Sequence, residues 1–78
     1  MKKEEFLSEL KEIMEIEDSE LTEDTVLRDM MEFNSLALMG IIALIDENFD
    51  MVIEADAFEK VSTIKDIMKL IGMDKFEK

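Results

Sequence analysis

Catalytic or attachment chemistry in this chain must come from serine, threonine, carboxylates, lysine or arginine, because the sequence contains neither histidine nor cysteine. That excludes imidazole acid/base pairs, thiol nucleophiles, disulfides and the usual zinc sites. Only Gly40 and Gly72 are present, so no glycine-rich phosphate loop exists. The acid-rich stretches also lack the turn glycine of a calcium-binding loop. Asp46 and Asp50 stand at helical spacing and read either as a solvated face or as a weak divalent-cation pair. No convergent set of polar residues points to an enzyme.

Ser35 differs from the other hydroxyls by its position. It follows Asn34, a good N-cap, and opens the most apolar segment of the chain. Its hydroxyl is therefore expected in a first helical turn, where backbone N–H groups lack partners and the helix dipole is positive. A phosphate attached there would be favourably held. On position alone two readings stand, a plain capping residue or a phosphate attachment point.

The elements that must position this serine are helical. Phe6, Leu7, Leu10, Ile13 and Met14 recur at spacings of three and four, which predicts a first helix over about residues 2–16. A second is predicted from Ser35 to about Asn48, with Leu38, Ile41, Ile42, Ile45 and Phe49 as its core stripe. A short third runs over about Asp56 to Lys60, with Asp56 as N-cap candidate and Phe58 as anchor. The last runs over about Thr63 to Ile71, opened by a capping-box-like Thr63 and Asp66 and stopped by Gly72. Residues 17–34 form a long connection that is apolar at Leu21, Val26, Leu27, Met30, Met31 and Phe33 and is expected to lie across the bundle. Met14, Met68 and Met30 read as gap-filling core. Only Met51-Val52-Ile53 is β-prone. The fold class is all-α: a small bundle of three main helices, one short helix and a long first loop, in a single domain over 1–78.

Size and charge narrow the setting. At 78 residues and 47% apolar content the chain has enough hydrophobic material for one small core. Its formal charge of −12 disfavours nucleic acid and anionic lipid as partners. No apolar run is long enough for a membrane span, and the opening MKKEEFLSEL does not read as a secretion signal, so a cytoplasmic location is expected. The charge is concentrated: residues 12–59 hold fifteen acids and one base, Arg28. Solubility alone does not require excluding lysine from that stretch, so basic partner surfaces are expected.

Asn34-Ser35-Leu36, the following LALMGIIALIDENFDMVIEADAFEKVSTIKDIMKLI and the preceding EDTVLRDM resemble acyl carrier proteins, in order and without large gaps from Glu4 to Ile71. The family shows Asp-Ser-Leu at a helix start, an apolar helix ending in acids and Phe, a short segment, and a Thr-capped last helix. The resemblance implies that Ser35 receives a covalent 4′-phosphopantetheine from coenzyme A, transferred by a separate phosphopantetheinyl transferase. It further implies an acyl carrier that presents thioesters to acyl-loading and acyl-using enzymes, catalyses nothing itself and is monomeric. The missing cysteine agrees, since a thioester carrier without a thiol must borrow one.

Three departures from the family pattern bear on partners. Asn34 replaces the usual Asp, which keeps the cap and removes a charge. The first turns of the second helix carry Ala37, Leu38, Met39 and Gly40 where family members place acids, and Asp46 is the first acid. The outward stripe is expected to be Leu36, Gly40, Ala43 and Glu47. Partner recognition is accordingly assigned to apolar contact at Leu36 and Met39, near Gly40 and Ala43, with steering by Asp46, Glu47, Asp50, Glu54, Asp56 and Glu59. Drift at Gly40 and Ala43 without meaning for partners is the competing explanation. Third, Phe58 is bulky for its segment and reads as ordinary core or as a side chain reshaping a cavity between the second and third helices. Missing early acids and the missing Asp favour a specialised pathway over primary fatty-acid synthesis. The alternative function is an unmodified acidic helical module that binds a basic protein surface.

Overall fold

The first helix, α1 (Lys3–Ile13), buries Phe6 and Leu10, with Leu7 and Ile13 half-buried on its flanks. In this computed structural model, which describes residues 1–16 and 20–77, α1 ends earlier than its periodicity predicts. Glu15 adopts a left-handed φ of 55°. Its N–H donates to the Glu12 carbonyl at 3.1 Å, and that of Ile16 donates to the Lys11 carbonyl at 3.0 Å. This pair of bonds is a Schellman closure, completed without the usual glycine. It folds Met14 and Ile16 back into the core, which is why the apolar pattern outlasts the helix.

The second helix, α2 (Ser35–Phe49), buries Ala37, Ile41, Leu44 and Ile45. Leu38, Ile42 and Phe49, expected on the core stripe, are only partly buried. The buried face is thus rotated toward Ala37 and Leu44, both absent from the expected stripe. A helix that is apolar almost all round for its first eleven residues gives periodicity little to distinguish. The rotation also moves Gly40 off the outward stripe: a Cβ there would lie 2.8 Å from Ile13 Cγ2, so Gly40 lets α1 and α2 approach closely. At its far end α2 stops at Asp50, left-handed at φ 54°, whose N–H donates to the Asp46 carbonyl at 3.0 Å.

A 3₁₀ helix, η1 (Ala55–Lys60), follows, and buries Phe58. Its cap residue is Glu54, which makes no side-chain capping bond, and Asp56 lies inside the first turn rather than capping it. The third α-helix, α3 (Ile64–Ile71), buries Ile64, Ile67, Met68 and Ile71 and carries the expected capping box and Gly72 stop. A 3₁₀ turn, η2 (Met73–Lys75), was not signalled by periodicity. It leads to Phe76, which is buried with its ring centroid 5.1 Å from Phe6 and 5.2 Å from Phe49. Burial of such a ring contributes about 1.5–3 kcal/mol, so the tail closes the core rather than trailing from it. No strand forms among the described residues, where pairing is confined to isolated bridges at Lys2 with Glu77 and Val26 with Thr63.

The long connection does lie across the bundle, although its first residues, 17–19, fall outside the described ones. Leu21 and Leu27 are buried, Met30 and Phe33 half-buried, while Val26 and Met31 are exposed. A ladder stitches it to the start of α3: the Leu27 N–H donates to the Ser62 carbonyl (2.7 Å), that of Ile64 to Thr25 (3.2 Å) and that of Lys65 to Glu23 (2.9 Å). Arg28 donates through Nη2 to the Glu59 carbonyl at 3.1 Å, joining the connection to η1 as well. None of the described helices is long and apolar enough to cross a membrane.

Candidate functional site at the start of the second helix

From the ladder, two turn bonds carry the chain to Asn34: Met30 N–H to the Leu27 carbonyl and Phe33 N–H to the Met30 carbonyl, at 2.9 and 3.1 Å. The half-buried Phe33 anchors that path. Asn34 is extended (φ −114°, ψ −177°), as an N-cap must be. Its Oδ1 accepts from the Ala37 N–H at 3.0 Å, and its Nδ2 donates to the Met31 carbonyl at 3.4 Å. Its own carbonyl accepts from the Leu38 N–H at 2.9 Å.

Ser35 is therefore the first residue inside α2, and it is exposed. Among the described residues, the Ser35 and Leu36 N–H groups donate to no protein acceptor. No acid occupies the first turn of α2. An exposed hydroxyl beside unclaimed amides at a positive helix end suits a serine-linked phosphodiester, with those amides available to its oxygens. Asn34 performs the capping, so the reading of Ser35 as merely the cap is unnecessary.

The residues assigned to recognition divide. Leu36, Met39, Ala43, Asp46, Glu47 and Asp50 are all exposed on the side of α2 away from its buried face. Glu54, Asp56 and Glu59 are exposed on and before η1. Gly40 does not join them, being half-buried against Ile13. Near Ser35 the exposure of apolar groups is high: 80% for Leu36, 68% for Met39 and 91% for Met31. The exposed face of α2 thus changes along its length, from apolar beside the serine to acidic at the far end. The acids at that far end oppose the helix dipole, and no basic residue offsets them in the last turn, so helix stability does not account for them.

Phe58 is 4% exposed, which is the ordinary core position. Met31, one of the apolar residues of the long connection, stands in solvent beside the start of α2 rather than in the core. Two shallow surface grooves run along α1, lined by residues such as Ser8, Lys11 and Glu12, with no contribution from α2.

The charge balance around α3 contrasts with that around Ser35. Asp66 Oδ2 accepts from the Ser62 and Thr63 N–H groups, each at 3.0 Å. The Thr63 and Ser62 amides hold its carboxyl below the ordinary value, against a smaller opposing effect of desolvation.

Comparison with known sequences covers this region together with the rest of the bundle. Residues 4–71 match the family described as the phosphopantetheine attachment site. An acyl carrier protein of Rubrobacter xylanophilus is 29% identical over 75 aligned residues, covering 91% of this chain and 93% of its own. No solved structure gives a significant match. Because the match runs from the start of α1 to the end of α3 and takes in the whole approach to α2, the chain belongs to the acyl carrier protein family.

Proposed function

We propose that the Ser35 hydroxyl is the attachment point of a 4′-phosphopantetheine arm, delivered from coenzyme A by a separate transferase. The observation that carries this reading is the serine's setting: exposed, first in α2, with the cap bond made by its neighbour and its own amide unclaimed. The arm supplies the thiol that this cysteine-free chain lacks, and so lets it carry acyl groups as thioesters. The chain's own part is to hold the phosphodiester oxygens near the Ser35 and Leu36 amides and to present them away from the core. Asn34 caps the helix without adding negative charge beside the phosphate.

Partner enzymes, the transferase included, dock on the exposed face of α2. Leu36 and Met39 make the apolar contact, and Ala43 is small enough to let a partner approach. Asp46, Glu47, Asp50, Glu54, Asp56 and Glu59 steer basic partner surfaces from further along. Gly40 serves that surface only through spacing, so Gly40→Glu would disturb α1 and Ala43→Glu is the cleaner probe. With no acid in the first turn of α2 and Asn34 at the cap, the role is in a specialised pathway rather than primary fatty-acid synthesis. The carrier acts as a cytoplasmic monomer, without a nucleic-acid partner.

The test is the intact mass after incubation with coenzyme A and a broad-specificity phosphopantetheinyl transferase. One phosphopantetheinyl group is expected on the native chain and none on Ser35→Ala. A native chain that gains nothing, or a Ser35→Ala chain that gains the group, overturns the assignment and leaves the unmodified acidic interaction module.

A further inference from the structure

We propose that Met31 and Met39, exposed four residues to either side of the attachment serine, are oxidant-sensitive positions whose conversion to methionine sulfoxide slows loading of the carrier without unfolding it. The proposal rests on the reading of Ser35 and of the α2 docking face given above. Its own support is the distribution of eight methionines over the fold. Met14 and Met68 are buried, at 3% and 0% exposure, and Met1, Met30, Met51 and Met73 are partly covered by the core. The Met51 sulfur also faces the Lys75 ammonium at 3.2 Å. Only Met31 and Met39 are strongly exposed, and both flank Ser35 in sequence, four residues to either side.

Thioether oxidation follows access of the oxidant to sulfur. Hydrogen peroxide transfers one oxygen to the sulfur lone pair; the O–O bond breaks, sulfur is oxidised by two electrons, and water leaves. The product replaces an apolar, flexible contact with a strong hydrogen-bond acceptor. On Met39 that acceptor stands in the apolar half of the α2 face, next to Leu36, where a docking partner would have to desolvate it. On Met31 it stands at the turn whose carbonyl receives the Asn34 amide, close to the cap. Neither side chain contributes to the core, so the helices have no reason to melt. Sulfoxide reductases of the two stereochemical classes reverse the change.

The experiment treats the full chain with graded hydrogen peroxide, maps sulfoxides by peptide mass and measures phosphopantetheinyl loading from coenzyme A by a broad-specificity transferase. Sulfoxide is expected at Met31 and Met39 ahead of the other six methionines, with helical circular dichroism unchanged. Loading is expected to slow by roughly fivefold to tenfold, the effect of losing one anchor of an interface, and to recover after reductase treatment. In the double variant Met31→Leu with Met39→Leu, treated and untreated samples should load at the same rate as each other, whatever that rate is. Early oxidation at Met14 or Met68, loss of helix alongside the sulfoxides, an unchanged loading rate, or equal sensitivity in the double variant overturns the proposal. An untreated native chain that takes up no group overturns the Ser35 assignment instead, and this proposal falls with it.

Discussion

The starts of α2 and α3 solve the same problem in opposite ways. Both begin with amides that have no partner inside their own helix, at a positive helix end, and both are capped by a polar side chain. At α3 the first two amides, of Ile64 and Lys65, donate to the Thr25 and Glu23 carbonyls of the connection. The third helical residue, Asp66, returns its carboxylate to the Ser62 and Thr63 amides, so the helix carries its own anion. At α2 the equivalent residue is Ala37, which is 4% exposed and packed in the core. A carboxylate there would be buried, so a capping box is sterically and electrostatically closed to α2. Its first two amides stay unclaimed, and the residue beside them is a solvent-facing serine. One helix start is closed by the long connection and its own carboxylate; at the other, the first two amides stay open to solvent.

The largest difference between the two helix starts is expected at the serine itself. Ser35→Ala is expected to abolish phosphopantetheinyl loading while leaving thermal unfolding within about 2–4 °C, since the side chain is exposed and makes no capping bond. Intact mass and a melting curve check both halves. Next come the caps. Thr63→Ala and Asn34→Ala should each cost about 1 kcal/mol, or about 4–8 °C in Tm for a domain of this size. Thr63→Ala should in addition loosen hydrogen-exchange protection at Ile64 and Lys65, which the connection's carbonyls accept, whereas Asn34→Ala should not.

A pH series sharpens the electrostatic side. The folded carboxyl of Asp66 titrates below its ordinary value of 3.8, so between the two values the unfolded chain binds the extra proton. The stabilisation is therefore fully present above the ordinary value and is lost as pH falls through the folded one. Asp66→Asn should be less stable than the native chain near neutrality, and the two should converge in acid; parallel curves at all pH values would remove Asp66 from the account. The smallest effect expected is from Asn34→Asp. A charged cap at α2 should raise stability by a few tenths of a kcal/mol, to about 1 at low salt, through the dipole. It should also make the start of α2 more like that of α3, and the transferase rate with each variant reports whether the phosphate site notices.

Much of this arrangement was legible in the chain. Asn34 and Thr63 with Asp66 are local signals, because a cap bonds residues only three positions apart, and both appear as read. The α1 stripe was legible through Phe6 and Leu10, which sit on a helix with a clear polar face. The face of α2 was not. From Leu36 to Ile45 every residue is apolar or glycine, so the sequence offers no contrast between inside and outside. Ala37 and Leu44 went inward while Leu36 and Met39 went outward because α1 approaches at Gly40, a contact between residues distant in the chain. Phe76 was equally silent, since one aromatic residue in a charged tail has no periodicity, and only its meeting with Phe6 and Phe49 gives it a place.

By itself, then, the sequence determined the chemistry that was possible: no thiol, no imidazole, an N-cap followed by a serine, and acids crowded into residues 12–59. These are matters of composition and of neighbours along the chain. Which side chains flank the serine in solvent, and why its helix start carries no internal anion, was decided by tertiary packing. The close passage of α1 over Gly40 and the burial of Ala37 together set the rotation of α2 about its axis, and that rotation turns Leu36, Met39 and the distal acids outward.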